Sequence, residues 1–303
     1  MKIVILDGIT INQGDLSWKD LENLGELTVY DRTPNEKIAE RIKQAEAVFT
    51  SKNKMTGHVM DQCPNLKFIG VLATGYDNVD LAAAKERNIA VCNVPAYSTE
   101  PVAQHTFALI LEITNSVGLH HKAVQSGEWS RCPDFCMVKK PISQLAGKSI
   151  GIIGYGNIGK RVGAIAEAFG MKVNIYSQDK QEALTSDIVT LHCPATADNK
   201  GFVNKELISQ MKDGAILINT ARGALINETD LAWALHSGKL SAAALDVLDG
   251  EPPRPDHPLF GIENLFITPH IAWASKEARA VICSTSAENL KCFLEGGSLN
   301  RLV

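Results

Sequence analysis

The stretch SIGIIGYGNIG, residues Ser149–Gly159, decides the fold of this chain. Its first five residues form an isoleucine-rich run typical of a buried strand, and Lys160–Phe169 behind the glycines has the pattern of a helix. The glycines therefore form a GxGxxG motif at a strand-to-helix turn, and in this context the motif predicts a dinucleotide-binding site. Glycines placed there for packing alone are the alternative interpretation.

Each glycine of this motif has its own expected task. Gly154 permits the tight turn, Gly156 lets a pyrophosphate come close to the backbone, and Gly159 lets helix and strand pack closely. The unpaired N–H groups at the helix N-terminus attract negative phosphates. We therefore expect this turn to hold the pyrophosphate of a dinucleotide.

Short apolar runs that alternate with helical stretches extend the pattern over the whole chain. Such alternation is typical of βαβ units and a parallel sheet. The predicted strands are Lys2–Leu6, Ala47–Thr50, Phe68–Val71 and Ala90–Cys92, then Ser149–Ile153, Lys172–Tyr176, Ile188–Leu191, Ala215–Asn219, Ala242–Val247 and Leu265–Ile267. The fold class is thus predicted to be α/β, with two Rossmann-like doubly wound parallel-sheet domains and a cleft between them.

Two long helices set the expected domain boundaries. One is predicted from Thr99 to about Val117 and connects the two domains. The other, Ser275–Glu295, is expected to pack back on the first domain. We therefore predict a discontinuous substrate-binding (catalytic) domain of residues 1–97 plus 275–303, and a dinucleotide-binding domain of residues 98–274.

Composition and charge exclude several classes of protein. The chain has 303 residues, 45% hydrophobic and 21% charged, which is enough for two globular domains. Thirty basic and 34 acidic side chains give a formal net charge of −4 without a basic block, which argues against nucleic acid as a partner. No stretch approaches the ~18 to 20 apolar residues that cross a membrane. The N-terminal apolar run is predicted to be a strand rather than a signal peptide.

The seven cysteines favour a reducing, cytoplasmic location, because their number is odd and their spacing irregular. We expect most of them to act as small core side chains. Cys132 and Cys136 could be half of a metal site, but partner ligands at suitable spacing are absent from the sequence. No bound metal is therefore expected.

The choice between NAD and NADP depends on the end of the strand that follows the glycine turn. An acidic residue about 20 positions beyond the glycines binds the ribose 2′-OH and repels a 2′-phosphate. Here Ser177 takes that position, and its hydroxyl suits either group. Lys180 could pair with a phosphate, while Asp179 would oppose it. The sequence leaves the choice between NAD and NADP open.

Three segments that follow predicted strands contribute charged or ionisable side chains to one edge of the second sheet. Arg222 lies in NTARG, Glu251 in DVLDGE and His270 in TPH. In an open α/β sheet, ligands bind outside the carboxyl ends of the strands. We therefore expect these three side chains to share one rim.

These residue types suit the reduction of a 2-oxo acid. A guanidinium can hold the substrate carboxylate and polarise the carbonyl, which Lys would do poorly. An imidazolium can give its proton to the oxygen as hydride reaches the carbon, and a carboxylate bonded to the imidazole favours the charged form and fixes its orientation. Taken singly, Arg222 as a surface residue and His270 as a structural histidine are the alternatives.

Several motifs in a fixed order connect the chain to a known family. They are ATGYDNVD at Ala73–Asp80, NVPAYSTEPVAQHT from Asn93, GYGNIG, LHCPAT from Leu191, NTARG, ALDVLDGEPP from Ala244 and TPHIAWAS from Thr268. Between about Ala47 and Ala278 the chain resembles the D-isomer-specific 2-hydroxyacid dehydrogenases, most nearly the glycerate dehydrogenase and hydroxypyruvate reductase type. The resemblance implies an NAD(P)-dependent enzyme that reduces a small 2-oxo acid, with hydroxypyruvate or glyoxylate preferred, to the D-2-hydroxy acid.

The same resemblance implies roles for single residues. Arg222 is the implied substrate clamp, His270 the general acid/base and Glu251 its partner. Implied substrate contacts are Thr74, Gly75, Arg222 and Trp273, the last of which could equally be a packing residue. Implied cofactor contacts are Gly154, Tyr155, Gly156, Asn157, Ile158, Gly159, Ser177, Cys193, Pro194, Thr220, Ala221, Asp246 and Ala272, with Asp246 expected to accept from the nicotinamide carboxamide.

The resemblance also implies a homodimer formed through the long Thr99 to Val117 helix and its neighbours in the cofactor domain. It leaves two other functions open. A dinucleotide-sensing interaction protein would bind the cofactor without turnover, although the complete set of Arg222, Glu251 and His270 argues against it. A phosphite-type dehydrogenase shares the fold and calls for an assay with phosphite. A formate-type enzyme usually pairs its His with Gln, so Glu251 argues against that activity.

Overall fold

The computed structural model describes residues 1–303, and the chain forms two compact units. Unit 1 comprises Met1–Ser98 and Ala274–Val303, and unit 2 comprises Thr99–Trp273. Unit 1 is therefore discontinuous in sequence. The separate functions expected of the two predicted domains stay predictions.

The strands are short and distributed over both units. They are β1 (Lys2–Ile5), β2 (Glu26–Val29), β3 (Ala47–Thr50), β4 (Phe68–Val71), β5 (Ala90–Cys92), β6 (Ser149–Ile153), β7 (Lys172–Ile175), β8 (Ile188–Leu191), β9 (Ala215–Asn219), β10 (Leu240–Leu245) and β11 (Leu265–Ile267).

The helices alternate with these strands. They are α1 (Lys19–Glu22), α2 (Ile38–Ile42), α3 (Gly57–Asp61), α4 (Leu81–Glu86), α5 (Thr99–Asn115), α6 (Val117–Gln125), α7 (Asn157–Ala168), α8 (Lys180–Leu184), α9 (Lys205–Gln210), α10 (Glu228–His236) and α11 (Lys276–Leu294).

Both sheets are parallel throughout. The sheet of unit 1 has the order β2-β1-β3-β4-β5, and the sheet of unit 2 has the order β11-β10-β9-β8-β6-β7. Parallel sheets need cover on both faces, which explains why every residue of β3 and of β8 is buried. The predicted α/β class with two parallel sheets is confirmed.

β2 is a strand that the sequence analysis did not predict. It lies at the edge of the first sheet and pairs only with β1. Three of its four residues are exposed and the fourth is half-buried. An edge strand of this kind lacks the continuous apolar run by which the central strands are found.

The helix predicted from Thr99 to about Val117 corresponds to α5. α5 ends at Asn115, and Ser116 has a φ of 49°, in the left-handed region where a helix of L-residues does not continue. α6 then begins at Val117.

The topology of unit 2 brings several loops to one edge of its sheet. The chain passes from β6 to β7 on one side and then to β8 on the other, so the strand order reverses between β6 and β8. Open α/β sheets bind ligands at such a point, outside the carboxyl ends of the strands. Because all the strands are parallel, the segments after β6, β8, β9, β10 and β11 leave the sheet at this edge.

Two apolar clusters cover the two faces of that sheet. Leu217 of β9 belongs to one cluster, with Leu231 of α10, and the next residue, Ile218, belongs to the other, with Phe107 of α5 and Val162 of α7. This alternation follows from the two-residue period of a strand. Packing on both faces holds the strand ends, and hence the loops that follow them, in fixed positions.

None of the helices is both long enough and apolar enough to span a membrane. The cytoplasmic location expected from the cysteine content stays a prediction.

Candidate active site

The glycine turn after β6 is too tight for side chains at two of its three glycines. Gly154 has a φ of 99°, and a Cβ on it would lie 2.4 Å from the backbone nitrogen of Cys193. A Cβ on Gly159 would lie 2.1 Å from the carbonyl oxygen of Gly154. At Gly156, by contrast, a Cβ would meet no atom within 4 Å. The turn is therefore closed toward the protein and open at Gly156.

The helix behind this turn presents uncapped N–H groups. α7 begins at Asn157, three residues before the predicted start, so Asn157 and Ile158 lie in its first turn. Gly156 is the N-cap and offers no side-chain acceptor, and the first turn contains no acidic residue. The partial positive charge of this helix end is thus unopposed. An open backbone beside unsatisfied donors fits a pyrophosphate, and so the residues present fit a dinucleotide.

The segment after β8 lies against the same turn and is uncharged. His192 donates its backbone N–H to the carbonyl of Ile153 at 2.7 Å. Burial lowers the pKa of His192 to about 3, so its ring is neutral, and its buried Nδ1 has no hydrogen-bond partner. Burial also raises the pKa of the half-buried Cys193 thiol. Together with the exposed Pro194, these residues form a neutral wall beside the glycines.

Tyr155 and Ser177 complete the surroundings of the turn. The Tyr155 hydroxyl lies 3.3 Å from where a Cβ on Gly163 would stand, so the ring lies over the helix face at that glycine. Ser177 is exposed shortly after β7. The carboxylate of Asp179 accepts from the N–H of Glu182 at 2.9 Å as the N-cap of α8. That carboxylate is therefore engaged at the start of α8.

Asn219 shapes the loop that presents Arg222. Its Oδ1 accepts from the N–H of Ala221 at 3.0 Å, and its Nδ2 donates to the carbonyl of Arg222 at 2.8 Å. The neighbouring Thr220 is buried, with its hydroxyl 3.1 Å from that of Thr106. The Arg222 side chain is exposed, donates to the carbonyl of Ala221 at 2.8 Å and makes no ion pair. Its guanidinium thus has donors left for an anion.

Glu251 and His270 form a direct pair. Nδ1 of His270 lies 2.5 Å from Oε2 of Glu251, and their side chains are 41% and 33% exposed. The other oxygen of Glu251 accepts from the N–H of Leu248 at 2.9 Å. Because Nδ1 is engaged by the carboxylate, Nε2 is the ring nitrogen of His270 that remains for a substrate.

Glu251 is held in its ionised form. Burial by itself would raise its pKa, but the hydrogen bond and charge of His270, the N–H of Leu248 and the charge of Arg222 together lower that pKa below its ordinary value. An ionised carboxylate beside an imidazole favours the protonated ring. The arrangement therefore suits a general acid that is oriented by its partner.

Asp246 holds the backbone that presents His270. The side chain is 1% exposed, and its two oxygens accept from the N–H of Ile271 at 2.9 Å and of Ala272 at 2.8 Å. Its carbonyl accepts from the N–H of His270 at 2.8 Å. His270 has a φ of 53°, which a residue with a side chain rarely adopts, and these bonds hold it there. The contact expected between Asp246 and the carboxamide stays a prediction.

Trp273 supports the same turn from the other side. Its indole Nε1 donates to the carbonyl of His270 at 3.0 Å, and its ring is half-buried. This contact gives Trp273 a part in positioning His270. Its implied role as a wall of the substrate pocket stays a prediction.

The substrate loop implied by the resemblance lies in unit 1, after β4. The Thr74 hydroxyl donates to the carbonyl of Val94, and the side chain of Asn93 donates to the carbonyl of Thr74, each at 2.8 Å. The backbone N–H groups of Thr74 and Gly75 donate to no protein acceptor. Two consecutive free N–H groups in a fixed loop suit an anion.

The structure brings Arg222, Glu251 and His270 to one edge of unit 2, but sequence reasoning missed the pair that fixes the loop of Glu251. One oxygen of Glu228 accepts from the N–H of Asp249 at 2.9 Å, and the other lies 3.1 Å from Nε2 of His257. Nothing in the spacing of these residues connects them. The one signal in the sequence is Asn227, a typical N-cap residue, which marks the start of α10 directly before Glu228.

Comparisons with known proteins agree with this site. Residues 107–272, which lie within unit 2 and make up more than half of the chain, match the family model described as D-isomer specific 2-hydroxyacid dehydrogenase, NAD binding domain. A hydroxypyruvate reductase of Blautia hydrogenotrophica is 48% identical, with 99% of each chain covered. A glycerate dehydrogenase of Methylorubrum extorquens is 37% identical, with 99% of this chain and 98% of the relative covered.

Solved structures also share the fold. An acyclic imino acid reductase in complex with NADPH and D-Arg superposes with a TM-score of 0.82 at 30% sequence identity, and the comparison covers 100% of both chains.

Proposed function

The chain belongs to the D-isomer specific 2-hydroxyacid dehydrogenase family, and we propose on this premise that it interconverts hydroxypyruvate or glyoxylate with the corresponding D-2-hydroxy acid. It is an NAD(P)-dependent oxidoreductase of the 2-hydroxyacid dehydrogenase class. The proposal rests on the 2.5 Å contact between His270 and Glu251 beside the exposed Arg222. The hydroxypyruvate reductase and the glycerate dehydrogenase among its relatives support this substrate class.

Three side chains divide the work of the reaction. When bound, the dinucleotide supplies the hydride for the substrate carbonyl carbon. Arg222 holds the substrate carboxylate and polarises the carbonyl through its fork of N–H donors. Nε2 of His270 donates its proton to the carbonyl oxygen and takes it back in the reverse direction. Glu251 stabilises the imidazolium and keeps Nε2 toward the substrate.

The free N–H groups of Thr74 and Gly75 are proposed as a second anchor for the substrate carboxylate. Thr74 is held by two hydrogen bonds to the neighbouring segment, at Asn93 and Val94, so these groups need little reorganisation to bind. A short 2-oxo acid with one carboxylate and one carbonyl matches a site of few, fixed donors.

The cofactor is NAD or NADP by family membership, and we propose that this chain accepts both. Ser177 places no carboxylate against a 2′-phosphate, and the nearby carboxylate of Asp179 is engaged as the cap of α8. Without a carboxylate to repel the 2′-phosphate of NADP, the site tolerates a ribose with either a 2′-hydroxyl or a 2′-phosphate. The NADPH-bound imino acid reductase of the same fold supports this choice.

We also propose that the protein is a homodimer assembled through unit 2. Large apolar side chains stand out of the segment that follows α5, including Val117 at 62%, Phe135 at 91% and Val138 at 61% exposure. Such exposure is costly in a monomer and typical of an interface. Light scattering coupled to size exclusion should give twice the chain mass, and Phe135→Asp should lower it.

The reaction itself is tested by absorbance-monitored oxidation of NADH and of NADPH with hydroxypyruvate, glyoxylate and pyruvate offered in turn, and by reduction of NAD+ and NADP+ with phosphite. Turnover with hydroxypyruvate or glyoxylate is expected. Arg222→Ala should abolish turnover while Arg32→Ala, an exposed arginine in unit 1, should not change it. Cofactor binding without turnover on any of these acids would overturn the proposal in favour of a sensing protein.

A further inference from the structure

Helix α5 reaches the active site through one side chain that the reaction scheme does not use. Nε2 of His105 lies 3.0 Å from the hydroxyl of Thr268 and 3.5 Å from Oδ1 of Asp246. The Thr268 hydroxyl in turn lies 2.6 Å from the same oxygen of Asp246. His105 is 20% exposed, and Asp246 is 1% exposed. The three groups therefore form a continuous series of hydrogen bonds that ends at a buried carboxylate.

The direction of each bond in this series is fixed by the donors available. Both oxygens of Asp246 already accept from backbone N–H groups, so the carboxylate acts as an acceptor. The Thr268 hydroxyl has a single proton and gives it to Asp246 over the shorter distance. Its oxygen is then left to accept from the Nε2–H of His105. His105 thus acts as the donor at the head of the series.

The far end of the series is the turn that presents His270. Asp246 accepts from the N–H of Ile271 and of Ala272 and keeps His270 in its left-handed conformation. A hydroxyl without a fixed donor is free to rotate away from the carboxylate. Loss of the His105 donor therefore loosens Asp246 and, through it, the turn at His270.

We propose that His105 is a positioning residue for His270, acting through Thr268 and Asp246; this inference rests on the proposed function. A series of hydrogen bonds of this kind matters in catalysis because a small displacement of the acid–base group costs rate without costing binding. A purely structural role, tying α5 to the sheet, would instead appear as lost stability alone.

The test uses pairs of variants that remove or keep one hydrogen bond. His105→Phe keeps a ring without a donor, and His105→Gln keeps an N–H. Thr268→Val keeps the shape without the hydroxyl, and Thr268→Ser keeps the hydroxyl. We expect the Phe and Val variants to lower kcat about 10- to 100-fold, and the Gln and Ser variants to recover most of that loss. The double variant His105→Phe with Thr268→Val should lose no more kcat than Thr268→Val alone, because both substitutions break the same series of hydrogen bonds.

Thr114→Val is the matched control, since it removes another buried hydroxyl of α5 whose bond runs to the carbonyl of Ile110 within the helix. It should leave kcat unchanged. Normal kcat in His105→Phe, or losses that multiply in the double variant, would overturn the inference while wild-type turnover still upholds the proposed function. If wild type shows no turnover, the proposed function fails, and the ¹⁵N resonances of His270 then test this inference. These resonances should shift in His105→Phe and Thr268→Val but not in Thr114→Val. Unshifted resonances in the first two variants would overturn the inference.

Discussion

Gly223 lies so close to Leu248 that a Cβ on Gly223 would fall 1.9 Å from the carbonyl carbon of Leu248. Gly223 directly follows Arg222, and Leu248 gives its N–H to Glu251. This approach of two backbones therefore sets the separation between Arg222, the proposed substrate clamp, and the proposed acid–base pair. Any side chain at position 223 must push the two loops apart.

Gly223→Ala should for this reason damage the reaction more than the fold. We expect kcat/KM to fall about 100-fold, the usual cost of a displacement near 1 Å. Gly118→Ala is the matched control, because its Cβ would meet only the flexible end of Glu112 at 3.1 Å. Steady-state kinetics and thermal unfolding of both variants decide the matter, and full activity in Gly223→Ala would refute the link between the two loops.

Glu251→Gln should change how the reaction depends on pH. In the proposed mechanism His270 donates a proton to the substrate, and the variant removes the negative charge of its partner. The alkaline limb of the kcat/KM profile for reduction should therefore move to lower pH.

The profile of Glu263→Gln provides the comparison, since Glu263 is 89% exposed on the surface of the same unit. A limb that stays in place in Glu251→Gln would remove Glu251 from the mechanism. Because the pKa of Glu251 is held below its ordinary value, protonation of Glu251 itself matters only at acidic pH, below that value.

Ser177→Asp should convert a tolerant cofactor site into a selective one. The new carboxylate can bind the ribose 2′-OH and repels a 2′-phosphate. The ratio of kcat/KM with NADPH to that with NADH should fall at least about tenfold, equivalent to 1.4 kcal/mol. Ser209→Asp adds the same charge on the exposed face of α9 and should leave the ratio unchanged. An unaltered ratio in Ser177→Asp would mean that the ribose binds elsewhere.

The ion pair between Asp15 and Arg279 should make unit 1 sensitive to acid. Both oxygens of Asp15 accept from the nearly buried guanidinium at 2.8 Å, and this hydrogen bond lowers the pKa of Asp15 to about 2. A carboxylate whose pKa is lowered by folding stabilises the protein above its ordinary pKa and loses that effect as pH falls toward 2.

The comparison of wild type with Asp15→Asn makes this measurable. The denaturation midpoint of the variant should lie below that of wild type at pH 6, and the gap should narrow as pH falls through 3.8 toward about 2. Asp31→Asn, at an exposed position of the same unit, should show no such trend. A gap that is independent of pH would contradict the assigned charge pairing.

Motifs predict those parts of the site that depend on local sequence. The strand, the three glycines and the helix of Ser149–Ala168 are neighbours in the chain, so their geometry follows from residue type. The central strands are buried runs and were found for the same reason. β2 was missed because it is an exposed edge strand.

Contacts between distant segments were beyond sequence reasoning. Asp246 was singled out for a cofactor contact, yet its oxygens hold Ile271 and Ala272, 25 and 26 residues away. His105 lies 163 residues from Thr268, and no pattern in either segment indicates the other. Such pairs depend on which strands become neighbours in the sheet, which local periodicity does not specify.

The uncapped start of α7 makes the stability of this protein depend on the concentration of its cofactor. A helix end whose donors have no protein partner gains hydrogen bonds when a phosphate binds, so the bound ligand stabilises the native state. Binding then adds RT ln(1 + [L]/Kd) to the unfolding free energy, about 2.7 kcal/mol when the dinucleotide stands at 100 times its Kd. Cells that deplete their dinucleotide pool should therefore lose not only the turnover of this enzyme but, by unfolding and proteolysis, the enzyme itself.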